Sequence, residues 1–253
     1  MRVAGSADLK TFGEPIIHET PQDFDQGMQL LSVLAERVSG GDRIDLICGG
    51  VPGVVDQKNN ILLRSPHLPK WEGKKMPVNF LENDTALVGL GEAIFGAGKG
   101  DEIVVYVTVS TGVGGVRIVE GKIDKRRFGF EPGHQLLKDG VKLEELVSGS
   151  AFLRRYGRPA FEISDSIVWE EAAKALAMGL HNSILHWSPD ALILGGQMIV
   201  GQGPSLSLES VKQYLSQSLT IFPELPIIKK AALGDLGGLW GAMAYLTNRG
   251  YIS

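Results

Sequence analysis

The chain has 253 residues, enough for one large hydrophobic core or two modest ones, and its 43% hydrophobic and 21% charged residues exclude a disordered or fibrous class. A formal net charge of −4 at pH 7 gives no basic face for phosphate backbones, so no nucleic-acid partner is expected. No segment has the apolar length of a bilayer span, the opening MRVAGSADLK lacks the apolar stretch of a secretory signal, and the single Cys48 has no internal disulfide partner, which together predict a cytoplasmic protein with no membrane partner.

In chain order, residues 2–5 read as the end of a strand and Ile16–Glu19 as a second strand. Thr20-Pro21 then opens a helix whose apolar positions Phe24, Met28, Leu31, Ala35 and Val38 keep helical spacing. A buried strand is expected over Ile44–Cys48, running into the Gly49–Gly53 glycine cluster as a turn. Asn83-Asp84 precedes a second helix, Thr85–Phe95, that stops at Gly96. After Gly100 the pattern restarts with a strand at Ile103–Val109, a glycine turn at Ser110–Gly115, a strand at Val116–Val119 and a hairpin at Glu120-Gly121. Helices are predicted over about 143–155, 168–186, 207–219 and 238–248, with strands at Ala191–Leu194 and Ile227–Lys230. The early order of strands, then helix, then strand predicts a mixed sheet with helical cover, and the whole pattern predicts two domains, residues 1–98 and 99–253.

Several short segments are candidates for chemistry. The turn STGVGG offers backbone N–H groups to an anion, yet strand follows it rather than helix and no Gly-Lys-Ser/Thr occurs, so it fits neither a dinucleotide fingerprint nor a Walker loop. An ordinary strand turn explains it equally well. Asn83-Asp84 at a helix start is by itself a capping pair; functionally, the helix N-terminus favours an ionised Asp84, which at a pocket edge can accept a proton from an attacking hydroxyl. Glu131 and His134, three apart in one loop, supply an acceptor and a donor for adjacent hydroxyls, with Glu144 as a third group; solvated loop charges are the simpler alternative. Gly195-Gly196 after a strand, and Gly234–Gly238, allow either a ligand or a plain strand exit close to backbone. No CxxC pair or HExxH appears.

The order of these segments is more specific than any one of them. GVPGVVD (50–56), SPHLPKW (65–71), ENDTA (82–86), VSTGVGG (109–115), EPGH (131–134), LEELVSG (143–149), LILGG (192–196) and LGDLGGLWGA (233–242) resemble the ROK family throughout. That family includes glucokinases, related hexose and amino-sugar kinases, and sugar-responsive repressors. The resemblance implies an α/β, actin-like ATPase (ribonuclease H-like) two-lobed fold, with ATP, Mg2+ and a hexose as ligands and a homodimer as assembly. It assigns Asp84 as catalytic base and Asn83, Glu131, His134 and Glu144 as sugar contacts. Thr111 and Gly112 would face the donor phosphates, and Gly195 and Gly196 the adenosine.

Three departures from the family pattern accompany the match. Members begin with a strand ending in Asp-x-Gly-Gly-Thr, a loop that holds donor phosphates; Met1–Ala4 looks like the strand just after it, so the fold is expected to be N-terminally truncated and the activity of this chain reduced. The stretch Gln135–Lys142 is short and cysteine-free where most members carry a zinc motif, so no zinc is expected and His134 must be oriented otherwise. In this, and in FGAGKG (95–100), the chain is similar to polyphosphate-using glucokinases, which keeps polyphosphate open as donor. His67 replaces the asparagine usual in the SPN-L segment. The expected function is hexose phosphorylation, glucokinase-like; the alternatives are a non-catalytic sugar-binding protein and a sugar-responsive regulator.

Overall fold

In a computed structural model, which describes residues 1–251, the chain divides into two units. The first comprises Met1–Gly91, Arg126–Gly129 and residues from Asp235 onward; the second comprises Glu92–Lys125 and Phe130–Gly234. The expected single cut near residue 98 differs from this division in three places, the first being that residues 92–98 fall in the second unit. The last helix joins the first unit because it packs on an early strand, and four residues around Arg126 join it through a buried ion pair.

The first unit contains β1 (Arg2–Val3), β2 (Ile16–Ile17), α1 (Phe24–Ser39), β3 (Cys48–Val51), β4 (Val54–Asp56), β5 (Ile61–Arg64), β6 (Phe80–Asn83) and most of α2 (Asp84–Ile94). Its strands form three two-stranded ladders, antiparallel β1–β2 and β4–β5 and parallel β3–β6, where the sequence suggested one sheet. Helix α1 starts later than Thr20-Pro21 because Asp23 provides the cap, its carboxylate accepting from Gln26 N–H at 3.1 Å, and it ends at Gly40 in the left-handed region (φ 64°). Its Gly27 lies flat on Trp71: a Cβ there would stand 2.3 Å from the indole. Phe24 meets the same indole edge-on at 5.6 Å. Val51, Val55, Leu62, Leu68, Trp71, Met76 and Leu81 close the core beneath.

The strand expected at Ile44–Cys48 is found instead at Cys48–Val51, and the glycines read as a turn lie within it. The cause is β6, which pairs Gly49 with Leu81 and Gly50 with Glu82. Gly50 leaves room for α2, since a Cβ would sit 3.0 Å from Leu87 and 3.3 Å from the Asp84 Cα. Helix α8 (Gly237–Thr247) contacts β3, and its Gly241 meets the backbone of α2 without clearance.

The second unit is built on one five-stranded mixed sheet. Its strands are β7 (Ile103–Val109), β8 (Val113–Val119), β9 (Lys122–Ile123), β10 (Ala191–Gly195) and β11 (Ile227–Lys230), in the order β11-β10-β7-β8-β9. β10 runs parallel to both neighbours, while β7–β8–β9 is an antiparallel meander. β8 starts at Val113, so the glycine turn is shorter than Ser110–Gly115 and Gly114 and Gly115 are strand residues. The helices are α3 (Leu143–Val147), α4 (Gly149–Tyr156), α5 (Ser166–Trp187), α6 (Gln197–Val200) and α7 (Leu208–Ser218). The single helix expected over 143–155 is two, because Ser148 leaves helical geometry to cap α4 through Ala151 N–H. Val105, Val107, Leu176, Leu180, Ile184, Leu192 and Leu194 are among the core residues joining α5 to the sheet. Buried Glu92 ties the end of α2 to the residues after β11 by accepting from Ala97, Ala232 and Leu233 N–H at 2.8–2.9 Å.

Two glycines of α8 separate packing from propensity. A Cβ at Gly241 would lie 1.7 Å from the Leu87 carbonyl oxygen, which cannot rotate away, whereas one at Gly238 meets only Val88 at 3.8 Å. Urea unfolding of Gly241→Ala should therefore show a loss of about 3 kcal/mol, the upper end of overpacking costs. Gly238→Ala should be neutral or gain up to about 1 kcal/mol from helix propensity. Equal effects at both positions would contradict this packing. Cys48 provides a chemical probe of the same region: burial, with Glu82 assisting, pushes its thiol up to about 12, so labelling by a thiol reagent at pH 8 should be slow until denaturant is added.

Candidate functional site

The two candidate residues of the first unit sit where a strand becomes a helix with no intervening loop. β6 ends at Asn83 and α2 begins at Asp84. Asn83 is the cap: its Oδ1 accepts from Ala86 N–H at 3.0 Å while its Nδ2 donates to the Gly53 carbonyl at 3.0 Å. The Asp84 Oδ1 accepts from Thr85 N–H at 2.7 Å. The sequence reading treated both residues as preceding the helix; Asp84 is instead its first residue.

Burial adds an effect on Asp84 that the helix-terminus argument does not contain. Burial raises its proton affinity above the ordinary carboxylate value; the Thr85 N–H and the charge of His67 oppose that shift and are smaller. Burial and the helix terminus act on this carboxyl in opposite directions, since removing water disfavours its charged form and the terminus favours it. A carboxyl displaced upward binds a proton more readily, which is the property a general base needs. His67 is exposed on the Ser65–Trp71 turn, which Ser65 fixes by accepting Leu68 N–H at 3.1 Å.

The second unit brings together His134, Glu144 and Gly112. His134 Nε2 stands 3.6 Å from Glu144 Oε1, and Glu144 Oε2 would lie 3.5 Å from a Cβ on Gly112. Glu131 and His134 are both exposed and bracket one 3-10 turn, Pro132–His134, in which His134 N–H donates to the Glu131 carbonyl at 3.1 Å. This turn rests against β8 through positions with no room for side chains. A Cβ on Gly133 would meet the Val113 carbonyl at 2.3 Å, and one on Gly115 would meet Pro132 at 2.7 Å. Gln135, which the sequence reading passed over, fastens the turn from behind, donating to the Pro132 and Gly179 carbonyls at 2.8 and 3.2 Å and accepting from Asn182 at 2.9 Å. The turn at Ser110–Gly112 is anchored to α4, whose Gly149 and Ser150 N–H groups donate to the Ser110 and Thr111 carbonyls at 2.7 and 3.3 Å. Thr111 itself is exposed.

Gly195 and Gly196 are shaped by β7. A Cβ on Gly195 would meet the Tyr106 hydroxyl at 2.4 Å; Gly196, at φ 86°, would place one 2.3 Å from the Val109 carbonyl. Their glycine identity is required by packing alone, whatever ligand they meet. Among the described residues no group of three or more His, Cys, Asp or Glu side chains gathers as metal ligands, and no helix is long and apolar enough to cross a membrane.

The sequence pattern of the ROK family matches residues 14–249. A glucokinase of Thermotoga maritima is 32% identical over 148 residues, covering 49% of this chain and 45% of the glucokinase. An uncharacterised protein of Clostridium perfringens is 29% identical over 231 residues, covering 78% of this chain and 76% of that one. The crystal structure of a ROK hexokinase from Thermus thermophilus superposes with a TM-score of 0.80 at 26% identity, covering 98% of this chain and 96% of that one. With the family pattern spanning nearly its whole length, the chain belongs to the ROK family and has the actin-like ATPase fold.

Proposed function

We propose that the protein is a sugar kinase that transfers the terminal phosphoryl group of ATP to a hydroxyl of a hexose, glucose first among them, with polyphosphate as the alternative donor. The observation that carries this reading is the carboxyl of Asp84, raised in proton affinity by burial at the head of α2 and held by a capped junction. Support also comes from the glucokinase and hexokinase relatives.

In the proposed reaction Asp84 accepts the hydroxyl proton as the sugar oxygen bonds to phosphorus and the bond to the departing phosphate oxygen breaks. Asn83, Glu131, His134 and Glu144 hold the remaining hydroxyls, which fixes the attacking oxygen. The turn carrying Thr111 and Gly112 faces the donor phosphates, and Gly195 and Gly196 lie beside the adenosine. Magnesium carried with the donor neutralises phosphate charge. The His134–Glu144 arrangement supports the clamp role: at 3.6 Å the two groups are close enough to share one hydroxyl and too far apart to satisfy each other fully.

Calorimetry with glucose, fructose and N-acetylated hexoses, followed by a coupled assay with ATP or polyphosphate, tests the reading. Saturable hexose binding with phosphoryl transfer is expected. Binding without transfer from either donor would favour the non-catalytic sugar-binding protein, and neither would remove the sugar site.

Asp84 yields a two-sided expectation. A carboxyl whose pKa is raised from 3.8 on folding keeps its proton more tightly in the native state. Its favourable contribution is therefore present only at acid pH and is lost as pH rises through the raised value, so this carboxyl is a burden on stability at pH 7. Asp84→Asn keeps the acceptor for Thr85 N–H and removes the charge. Turnover should fall by ~10²–10⁴, with hexose affinity changing little. The melting temperature should rise at pH 7, and that gain should disappear below about pH 4, beneath the ordinary Asp pKa. A variant that keeps most of its turnover would exclude Asp84 as the base.

A further inference from the structure

The least expected group in the first unit is a carboxylate one residue ahead of the capping asparagine. Glu82 is fully buried, in a strand whose neighbours Phe80 and Leu81 are apolar. An unpaired carboxylate there would be strongly disfavoured, and each Glu82 oxygen has a partner. Oε1 accepts from the Arg126 guanidinium at 2.5 Å and from Asn83 N–H at 2.7 Å; Oε2 accepts from the Gln57 amide. The Arg126 side chain is itself only 12% exposed. Asn60, at the far end of the same hairpin tip as Gln57, accepts from Leu81 N–H at 3.1 Å and donates to the Val78 carbonyl at 2.7 Å. The strand that delivers Asn83 and Asp84 is thus held along its length by polar groups distant in sequence.

Arg126 comes from an unusual place. The chain enters the first unit for only four residues, Arg126–Gly129, and Glu131 follows two residues later. We propose that Arg126, acting through Glu82, is a positioning residue: it fixes the strand-to-helix junction that presents Asp84, and it does so from the segment leading directly into the loop of Glu131 and His134. The inference rests on the kinase reading for its catalytic consequence and on the hydrogen bonds of Glu82 for the junction.

The test pairs kinetics with amide hydrogen exchange at residues 83–86 in the full chain. Arg126→Met should lower kcat about tenfold or more while KM for hexose stays within about threefold. The Asn83, Thr85 and Ala86 amides should exchange at least tenfold faster, and Arg126→Lys should restore much of both effects. If Arg126→Met fails to fold, the double variant Glu82→Gln/Arg126→Met, which leaves no unpaired buried charge, should fold and show the same loosened amides. Wild-type exchange at these amides in a folded variant overturns the proposal. So does a kcat loss that only tracks the unfolded fraction. If the unmodified protein transfers no phosphoryl group, that result sinks the kinase reading alone, and exchange at residues 83–86 still decides whether Arg126 holds the junction.

Discussion

Making a helix follow a strand with no residues between them is the constraint on which the first unit depends. A strand needs lateral hydrogen-bond partners, and a helix leaves its first four N–H groups without intrahelical acceptors. At the β6–α2 boundary both demands fall on adjacent residues. Asn83 completes the register with Val51, caps Ala86 and reaches Gly53, while its own backbone N–H is taken by Glu82. Asp84 is then the first side chain free of strand obligations, projected from a backbone that has little freedom to move. Positioning of this kind is what the proposed reaction would ask of Asp84, because phosphoryl transfer draws mainly on positioning and electrostatics.

Sequence alone exposed a good deal of this. The strand–helix alternation, the long helix α5 with Ala172, Leu176, Leu180 and Ile184 buried, and the β7–β8 hairpin follow from hydrophobic period and glycine punctuation. What stayed hidden depends on distant partners. β6 escaped detection because it is four residues long and half polar, and its polar half is satisfied by Gln57 and Arg126, 25 and 44 residues away. The glycines of β3 and β8 read as turns because glycine usually marks them. Here they admit α2, Pro132 and the Phe130 bridge, contacts that no local window contains. A glutamate beside two apolar residues and directly before an Asn-Asp pair was the one available sign of the Glu82 network.

The candidate site residues divide in the same way. Motif order singled out Asp84, Glu131, His134 and Glu144, while the upward pull of burial on Asp84 lay beyond the local helix-terminus argument, since burial depends on tertiary structure and the dipole only on local sequence. Gln135 was overlooked because glutamine carries no charge and no spacing rule. Its value lies in donating to two carbonyls and accepting from Asn182 at once, which holds the 3-10 turn of His134 to α5. For Gly195 and Gly196 the packing requirement against Tyr106 and Val109 explains why side chains are absent whether or not a nucleotide is nearby.

The first unit is also discontinuous along the chain, and this bears on how the protein acquires its structure. Gly241 of α8 rests on α2, so two helices about 150 residues apart must meet before that unit is complete. The five-stranded sheet of the second unit depends on pairings contained within residues 103–230. During synthesis the sheet can therefore form while α8 is still missing, leaving β3 and α2 partly uncovered until the last helix emerges. Long-range closure of this kind is slow and leaves apolar surface accessible in the interim. The vulnerable species in a cell would then be a nascent chain with a finished second unit and an unfinished first one, the form a chaperone would meet.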